Sequence, residues 1–396
     1  MTRHSDDEQS DRREPLERVT VLHVCERFGG GLADAISSFA AADAGIRHVL
    51  LYAASPEVPL PVSAHALFDE VLELPAGHLA RVLAVRSAVH RTRASIVHSH
   101  SAFAGLYARL AVSRHGTAQV HSPHCFPFER ADRGPSALRA FHLIEWVLAR
   151  NTSLFVTCSE NELRRARALG GAPATWVVNC ANGVPAQFIR DNISDSPPGS
   201  EDIGHDSARI VGVGRIAPQK GPDIFAKTAR TIAGQGVLAR FHWVGRGNSD
   251  DLTNDLEESG VEVTGWLSKE SGLSVLAGAS VYLHTARWEG FPVSLLEAVA
   301  LGVPVVVLRR PYAESLPEEL LAEEHELADR IARLLGDADL RRRNVALARD
   351  ALCSHVPGRQ REQLQDAYLS LTASKARPRT APEPVPALRF PAEKAS

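Results

Sequence analysis

Two carboxylates, Glu289 and Glu297, flank a predicted helix start in the second half of the chain. Gly290 frees the backbone before this helix, and Pro292 suits its first position. Free N–H groups at a helix start favour a phosphate, and carboxylates beside them can accept hydrogen bonds from hydroxyl groups. The segment could therefore bind a ligand that carries both phosphates and hydroxyls. A capped helix with two solvated acids explains the segment alone equally well.

A second candidate segment, residues 214–221, follows the first predicted strand of the same half. Arg215 and Lys220 could neutralise a diphosphate, and Gly221 would let the backbone approach it closely. Only five of the 44 basic residues are lysines, so a lysine in a glycine-flanked loop favours a functional role over a solvated one. The Gly212-x-Gly214 pair lacks the third glycine of the dinucleotide fingerprint, which argues against a Rossmann dehydrogenase site.

Glycines and histidines carry the candidates of the first half. The run Gly29 to Gly31 ends the first predicted strand, before a predicted helix over 33–42, and permits either close approach to a ligand or a plain tight turn. Four histidines, at positions 98, 100, 121 and 124, lie at or beyond neighbouring strand ends. No carboxylate or cysteine stands at ligand spacing, so we predict no metal site. His124 is the best candidate for contact with a hydroxyl or phosphate, while burial or surface packing is predicted for His98 and His121.

Strand–helix alternation must position these residues. Twelve candidate strands, seven before residue 191 and five after 207, alternate with helical patterns, which predicts parallel sheets with helices on both faces. We predict an α/β protein with two doubly wound Rossmann-like domains that face each other across a cleft, where ligands bind. The predicted parts are a disordered segment at 1–16, a first domain at 17–190, a linker at 191–207, a second domain at 208–356, a final helix at 357–373 and a disordered tail at 374–396.

Composition excludes several classes of protein. The chain is 44% hydrophobic and 23% charged with a net charge of −3, which is typical of a soluble globular protein and argues against a general nucleic-acid binder. There is no run of 18 apolar residues and no signal-peptide pattern. Five dispersed cysteines favour a reducing, cytoplasmic location. A predicted helix over 136–150 could touch a membrane surface, although packing on the sheet is the commoner fate.

Taken together, these residues resemble family 4 of the glycosyltransferases, the retaining, metal-independent enzymes of the GT-B fold. The resemblance covers residues 20–371. Its strongest parts are the segment from Gly214 to Gly221 and the pair Glu289 and Glu297, followed by the apolar run at 298–306. Supporting segments lie at 98–100, 122–124, 158–160 and 182–184.

The resemblance implies a role for each candidate residue. Arg215 and Lys220 would hold the diphosphate of a nucleoside-diphosphate sugar such as a UDP-sugar, Glu297 the ribose, and Glu289 the transferred sugar. No cofactor is implied, and the acceptor would be a glycan, a lipid-linked molecule or a small molecule, reached in the cytoplasm or at the inner face of the membrane. The implied catalytic residues are Arg215, Lys220, Glu289 and His124, and the implied substrate-binding residues are Gly29, Gly30, Gly31, His100, Gly290, Phe291 and Glu297.

One departure from the family pattern stands out. The predicted strand ending at Leu308 is followed by residues that run quickly into a helical pattern over 318–335, so a glycine-rich loop and a further short strand look shortened or missing. Two alternatives therefore stay open. The first is a sugar-nucleotide 2-epimerase of the GT-B fold, and the second is a non-catalytic homologue that binds a nucleotide.

Overall fold

The computed structural model describes residues 18–41, 45–55, 60, 62–181, 184, 208–247 and 249–376, which form two parallel sheets. In the described residues, the first sheet has the order β3-β2-β1-β4-β5-β6-β7. Its strands are β1 (Thr20–Cys25), β2 (Arg47–Tyr52), β3 (Glu70–Glu73), β4 (Ile96–His100), β5 (Ala118–Ser122), β6 (Leu154–Thr157) and β7 (Ala174–Trp176). The second sheet has the order β10-β9-β8-β11-β12-β13. Its strands are β8 (Arg209–Val213), β9 (Arg240–Val244), β10 (Val261–Val263), β11 (Val281–His284), β12 (Val305–Leu308) and β13 (Leu321–Ala322).

Helices cover both faces of each sheet. Those of the first half are α1 (Gly30–Ala41), α2 (Val62–Leu67), α3 (His78–Thr92), α4 (Ala102–Ala111), α5 (Pro135–Ala149) and α6 (Glu160–Leu169). Those of the second half are α7 (Pro222–Gly234), α8 (Asp250–Glu258), α9 (Lys269–Ala277), α10 (Val293–Ala300), α11 (Leu327–Gly336), α12 (Ala338–Ala351) and α13 (Pro357–Ala376). Every residue of β1, β4, β5, β11 and β12 is buried, as expected of parallel strands between two helical layers.

Each sheet reverses its strand order once, between β1 and β4 in the first sheet and between β8 and β11 in the second. Ligands of doubly wound sheets bind beyond the carboxyl ends of the strands at this point. The candidate residues come from these four strands: Gly29 follows β1, His100 ends β4, Arg215 follows β8 and Glu289 follows β11.

Helix α13 returns the chain to the first sheet. Tyr368 is buried in a cluster with Val21, Ile96 and Val120, and its hydroxyl lies 2.6 Å from His98 Nδ1. Ser38 of α1 donates a hydrogen bond of 2.7 Å to the Gln360 side chain. The helix runs to Ala376, past the predicted end at residue 373. The predicted segments 1–16 and 191–207, and residues 377–396 of the tail predicted at 374–396, lie outside the described residues, and the domain boundaries stay predictions.

Three local predictions were wrong. The helix predicted over 33–42 begins at Gly30, because glycines are tolerated in a first turn whose N–H groups lack helical partners anyway. Pro292 is the N-cap of α10 and not its first residue. The short strand that looked missing is β13, which pairs with β12, and only residues from Leu327 onward form the following helix. Two residues of strand are too short to produce a periodic pattern.

Candidate active site

An ion pair between Lys220 and Glu289 lies where the β8–α7 and β11–α10 loops meet. The Lys220 side chain is 23% exposed and that of Glu289 11%, so the pair is partly desolvated while it still faces solvent. Gly221 follows in the left-handed region with φ 64°, and a Cβ there would collide with the Thr285 carbonyl. The tight approach of the two loops therefore requires glycine at this position.

Backbone hydrogen bonds hold the two loops together. The Thr285 hydroxyl donates to the Lys220 carbonyl at 2.9 Å, and the Arg287 N–H donates to the Gln219 carbonyl at 2.8 Å. The Gln219 side chain in turn donates to the Trp288 carbonyl at 3.1 Å. Because these contacts join residues 219 and 220 to residues 285 to 288, directly before Glu289, the two side chains are positioned by the loops and not only by their mutual attraction.

Arg215 is exposed and makes no ion pair among the described residues. Partial burial lowers the pKa of its guanidinium, and the positive charges of Arg27 and Arg130 lower it further, while Glu289 acts in the opposite direction. Arg27 follows β1 and Arg130 follows β5, so the cations come from both domains. Arg130 has its own counter-ion in Asp132, at 2.6 Å. Like charges gathered in this way favour an anionic ligand between them.

The first domain contacts the Glu289 loop at Gly290. A Cβ at this position would lie 2.7 Å from Cys158 Sγ and 3.1 Å from both a Glu162 carboxylate oxygen and the His124 carbonyl carbon. Glu162 is buried in the first turn of α6, where its carboxylate accepts hydrogen bonds from the N–H groups of Cys125 and Cys158. Burial raises the pKa of Glu162, and these hydrogen bonds oppose the rise.

Glu297 is engaged by a lysine that sequence reasoning missed. Lys269 forms an ion pair with Glu297 and another, at 2.7 Å, with Asp34 of α1. The Glu297 side chain is 8% exposed, and burial raises its pKa while Lys269 lowers it. Lys269 therefore joins the two domains beside the predicted ribose site. It is one of only five lysines in the chain, a scarcity that would have marked it as a candidate.

The predicted glycine run and Phe291 lie at the same junction. Gly31 faces Val293 at the start of α10, since a Cβ on this glycine would be 3.7 Å from the valine side chain. Phe291 is 5% exposed and stacks on His355 with ring centroids 4.9 Å apart. Its ring thus belongs to the core, and only its backbone is left to contact a ligand.

Histidines line the first-domain side. The ring of His124 lies 3.1 Å from that of His100 between Nε2 and Nδ1, and burial lowers the pKa of His124 to about 4. Burial lowers the pKa of five other histidines well below its usual value, and together these six are called the low-pKa histidines. They are His23, His98, His100, His121, His124 and His284.

Three of these rings are close enough to hold a metal ion: His23, His98 and His100. Each ring is already hydrogen-bonded, His98 to Tyr368 and Ser122, and His23 and His100 to each other and to further histidines. No acidic residue belongs to the cluster of the described residues. The donor set is therefore accounted for by hydrogen bonds without a metal.

The structure brings Arg215, Lys220, Glu289, Gly290 and His124 together where the two domains meet, and it places Glu297 beside them. His98 and His121 are buried, which is one of the two predicted alternatives. Four residues that sequence reasoning missed belong to the same region: Arg27, Asp34, Glu162 and Lys269.

Family models match both halves of the chain. The model described as glycosyl transferase 4-like domain matches residues 18–182, and the model described as glycosyl transferases group 1 matches residues 207–337. The alpha-D-kanosaminyltransferase of Streptomyces kanamyceticus is 26% identical over 314 residues, 73% of this chain and 80% of that protein. The UDP-Gal:alpha-D-GlcNAc-diphosphoundecaprenol alpha-1,3-galactosyltransferase of Escherichia coli is 28% identical over 226 residues, 54% of this chain and 57% of that protein.

Solved structures share the architecture at low sequence identity. Sucrose-phosphate synthase from Thermosynechococcus elongatus superimposes with a TM-score of 0.73 and 16% identity, over 90% of this chain and 100% of that one. Anabaena HepE, solved in complex with UDP-glucose, has a TM-score of 0.69 and 16% identity, over 89% of this chain and 99% of that one. These likenesses confirm the predicted fold. The chain is a glycosyltransferase of the GT-B fold and belongs to the group 1, family 4 glycosyltransferases.

Proposed function

We propose that the protein transfers a hexose-type sugar from a UDP-sugar to a glycan, lipid-linked or small-molecule acceptor, with retention of configuration and without a metal. The observation that carries this proposal is Arg215, an exposed guanidinium that has no ion pair among the described residues and lies near two other arginines and the Lys220–Glu289 pair. A diphosphate supplies the negative charge that this arrangement lacks. The complexes of Anabaena HepE with UDP and UDP-glucose support the choice of nucleotide.

Donor binding would redistribute the existing ion pair. Lys220 has three N–H donors, so it can keep one on Glu289 and direct the others to phosphate oxygens. Glu289 then has acceptor capacity for hydroxyls of the sugar. Glu297 would accept hydrogen bonds from the ribose, sharing its carboxylate with Lys269 or releasing it.

Catalysis would be electrostatic. The departing nucleoside diphosphate gains charge as the glycosidic bond breaks, and Lys220, Arg215 and the N–H groups at the start of α10 stabilise that charge. Positioned cations do here what a divalent metal does in other transferases. The family resemblance implies that the acceptor hydroxyl would attack from the face that the diphosphate leaves, so that the new glycosidic bond forms as the bond to the diphosphate breaks and the hydroxyl proton passes to a phosphate oxygen. No side chain of the site is assigned as a covalent nucleophile, which agrees with this course. His124 would contact the sugar or the acceptor.

A nucleotide-sugar panel tests this proposal. Thermal unfolding identifies the donor that stabilises the full chain, and nucleotide release is then measured with acceptor, with and without chelator. Lys220→Ala and Glu289→Gln are each expected to lower turnover about 10²-fold, and Glu289→Gln should leave UDP affinity intact or increased because it frees Lys220. Lys227→Ala, at an exposed pair with Glu324, is the matched control and should retain full activity.

Four outcomes would contradict the proposal. Full activity of both site variants would exclude the assigned site, and a complete block by chelator would exclude a metal-free reaction. Inversion of the anomeric centre in the product, read by NMR, would exclude retention. Conversion of the donor into its epimer without acceptor would favour the 2-epimerase. The non-catalytic alternative depended on a segment after Leu308 that looked shortened or missing, and the two-residue strand β13 shows that the strand is not missing.

We propose further that an anionic membrane surface is the partner of the face formed by α3, α4 and α5. Among the described residues, no helix has both the length and the apolar character needed to cross a bilayer. This face nevertheless exposes large apolar side chains, which are Leu79, Leu83, Phe103, Leu110, Leu143, Ile144, Trp146 and Val147. The helices are adjacent, since His78 of α3 stacks on Phe103 and Arg109 of α4 pairs with Glu145 of α5.

The charged residues around this face favour an anionic partner. The three helices contain five arginines and a single acid, Glu145, whose side chain is 3% exposed. Arg86 and Arg139 are exposed and make no ion pair among the described residues. An apolar face rimmed by cations in a chain of net charge −3 fits anionic headgroups over an acyl layer. The diphosphoundecaprenol acceptor of the Escherichia coli relative agrees with a lipid-linked substrate.

Vesicle sedimentation tests the membrane contact. The protein should bind phosphatidylglycerol vesicles and bind phosphatidylcholine vesicles much less, and salt should weaken binding. The substitutions Ile144→Ser and Trp146→Ser together should abolish it. Trp266→Ser changes an exposed tryptophan of the second domain and should bind normally. Equal binding by all three proteins, or none by the unmodified protein, would refute the contact.

A further inference from the structure

Four histidines form a continuous hydrogen-bonded row across the first sheet. His124 Nε2 lies 3.1 Å from His100 Nδ1, His100 Nε2 lies 3.1 Å from His23 Nδ1, and His23 Nε2 lies 3.0 Å from His48 Nδ1. The residues come from β2, β1 and β4 and from the loop after β5, which are neighbours in the sheet. We call these four residues the histidine row.

Only two proton arrangements satisfy the row when its rings are neutral. A neutral imidazole has one N–H and one nitrogen lone pair. A ring that accepts a hydrogen bond on one nitrogen therefore donates from the other, so all hydrogen bonds of the row run in the same direction. Every ring therefore carries its proton on Nε2, or every ring carries it on Nδ1. Burial disfavours the charged form of His23, His100 and His124, and the positive charge of a neighbouring ring would disfavour it further in His23 and His100, so these three rings are neutral at pH 7.

The row ends at the candidate active site. His48, His23 and His100 are at most 2% exposed, whereas His124 is partly exposed. Its Nε2 is used by the row, and its Nδ1 makes no hydrogen bond within the described part of the chain. The backbone of His124 and of the next residue, Cys125, has positive φ values of 49° and 94°. Backbone strain of this kind persists only where the surrounding structure holds it. Here the strained backbone keeps the His124 ring in hydrogen-bonding distance of His100.

We propose that the histidine row is a positioning unit that fixes which nitrogen of His124 carries the proton, and thereby whether Nδ1 accepts from or donates to the substrate. His23, His48 and His100 act through His124 and do not touch the substrate. The proposal deepens the transferase function and depends on it for the role of His124, but not for the uniform arrangement of the row. The hydrogen bond made by one histidine nitrogen commonly decides whether the other nitrogen, which faces a ligand, carries a proton. Here such hydrogen bonds connect four rings.

The test is the tautomer of His124, read by ¹⁵N NMR on the full-length protein with labelled histidine and assigned by single substitutions. All four rings should show the same protonated nitrogen. His23→Leu removes two links, so His124 and His100 should become tautomer mixtures. His23→Gln keeps one donor and one acceptor and should restore a single tautomer. His121→Leu is the matched control, because His121 is equally buried but bonds Ser99 outside the row.

Turnover provides the second measurement. His23→Leu should lower kcat at least tenfold with the donor KM unchanged, because the wrong tautomer of a histidine that contacts the substrate lowers turnover, whereas lost packing at His23 does not. His23→Gln should recover most of that loss. A purely structural role would lower the melting temperatures of His23→Leu and His121→Leu alike and leave the tautomer of His124 unchanged.

Three results would overturn the proposal: different protonated nitrogens within the row of the unmodified protein, an unchanged His124 tautomer in folded His23→Leu, or stoichiometric zinc bound at His23, His98 and His100. The NMR measurement needs no substrate. The two proposals can therefore fail separately. If no nucleotide sugar stabilises the protein, but all four rings share one protonated nitrogen and the His124 tautomer changes in His23→Leu, the transferase proposal fails and the histidine-row proposal stands.

Discussion

Replacing Gly290 with alanine would test whether the two domains must meet at this point for turnover. The new Cβ would lie 2.7 Å from Cys158 Sγ, whereas non-bonded heavy atoms pack at about 3.5–4.0 Å, so the overlap is about 1 Å. The carbonyl carbon of His124, 3.1 Å away, is backbone and cannot swing aside. The Glu289 loop or the whole domain must therefore shift by about 1 Å. Such a displacement of reacting groups costs about 10²-fold in rate, or about 2.7 kcal/mol of activation free energy.

The assay is nucleotide release at saturating donor, with thermal unfolding measured in parallel. Gly234→Ala is the control, because this glycine ends α7 and a Cβ there meets nothing within 4 Å. It should keep full activity and gain up to about 1 kcal/mol of stability. Adding Cys158→Ala to Gly290→Ala removes the closest obstacle and should recover part of the loss. A wild-type kcat for Gly290→Ala would refute the reasoning.

Three further predictions concern stability. Glu145→Gln should cost about 3–5 kcal/mol of unfolding free energy in urea melts, because it leaves the buried Arg109 without its counter-ion. The Arg109 side chain is 0% exposed. A cost below about 1 kcal/mol would contradict this reasoning. Lys269→Met should destabilise more than Asp34→Asn, because it strands the buried Glu297 carboxylate while Asp34 is 35% exposed; the reverse order in thermal melts would show that the contact between domains dominates. The low-pKa histidines bind fewer protons when folded than when unfolded, where their pKa is about 6.5. The unfolding free energy should therefore fall as pH drops below 6.5, by up to about 1.4 kcal/mol per unit for each histidine until its folded pKa is reached, and equal urea midpoints at pH 7 and pH 5.5 would refute it. The buried carboxyl groups of Glu162 and Glu297 have raised pKa values and oppose this trend, but they are two groups against six histidines.

The sequence was informative where residue type and position along an element coincide. Buried parallel strands are continuous apolar runs, so eleven of the thirteen strands of the described residues were predicted near their observed bounds. The strand predicted at 176–179 shares only Trp176 with β7. Arg215, Lys220 and Glu289 were recognisable because they are charged residues at strand ends, and strand ends of one sheet lie together. The two-residue strand β13 has no such signal.

Contacts between the domains could not be predicted. Nothing in the spacing of residues says that Gly290 will face Cys158, or that Lys269 will reach Asp34, since these pairs are far apart in the chain. His23 was missed for a related reason. It is a lone histidine between the apolar residues Leu22 and Val24, and its neighbours in the row are set by sheet order, which the sequence does not state.

The pairing of the charged groups explains how a polar cleft is stable before a ligand arrives. The sequence suggested separate duties, with Lys220 for the diphosphate and Glu289 for the sugar, whereas the structure pairs these side chains with each other. Glu297 is likewise paired with Lys269. Partly buried charges without partners would be costly, so each group is neutralised by a neighbour that the ligand must replace. Donor binding then exchanges ion pairs, and its affinity reflects the difference between the new and the old contacts. Arg215 has no ion pair to exchange within the described part of the chain, and it is therefore the cation from which an incoming diphosphate gains most.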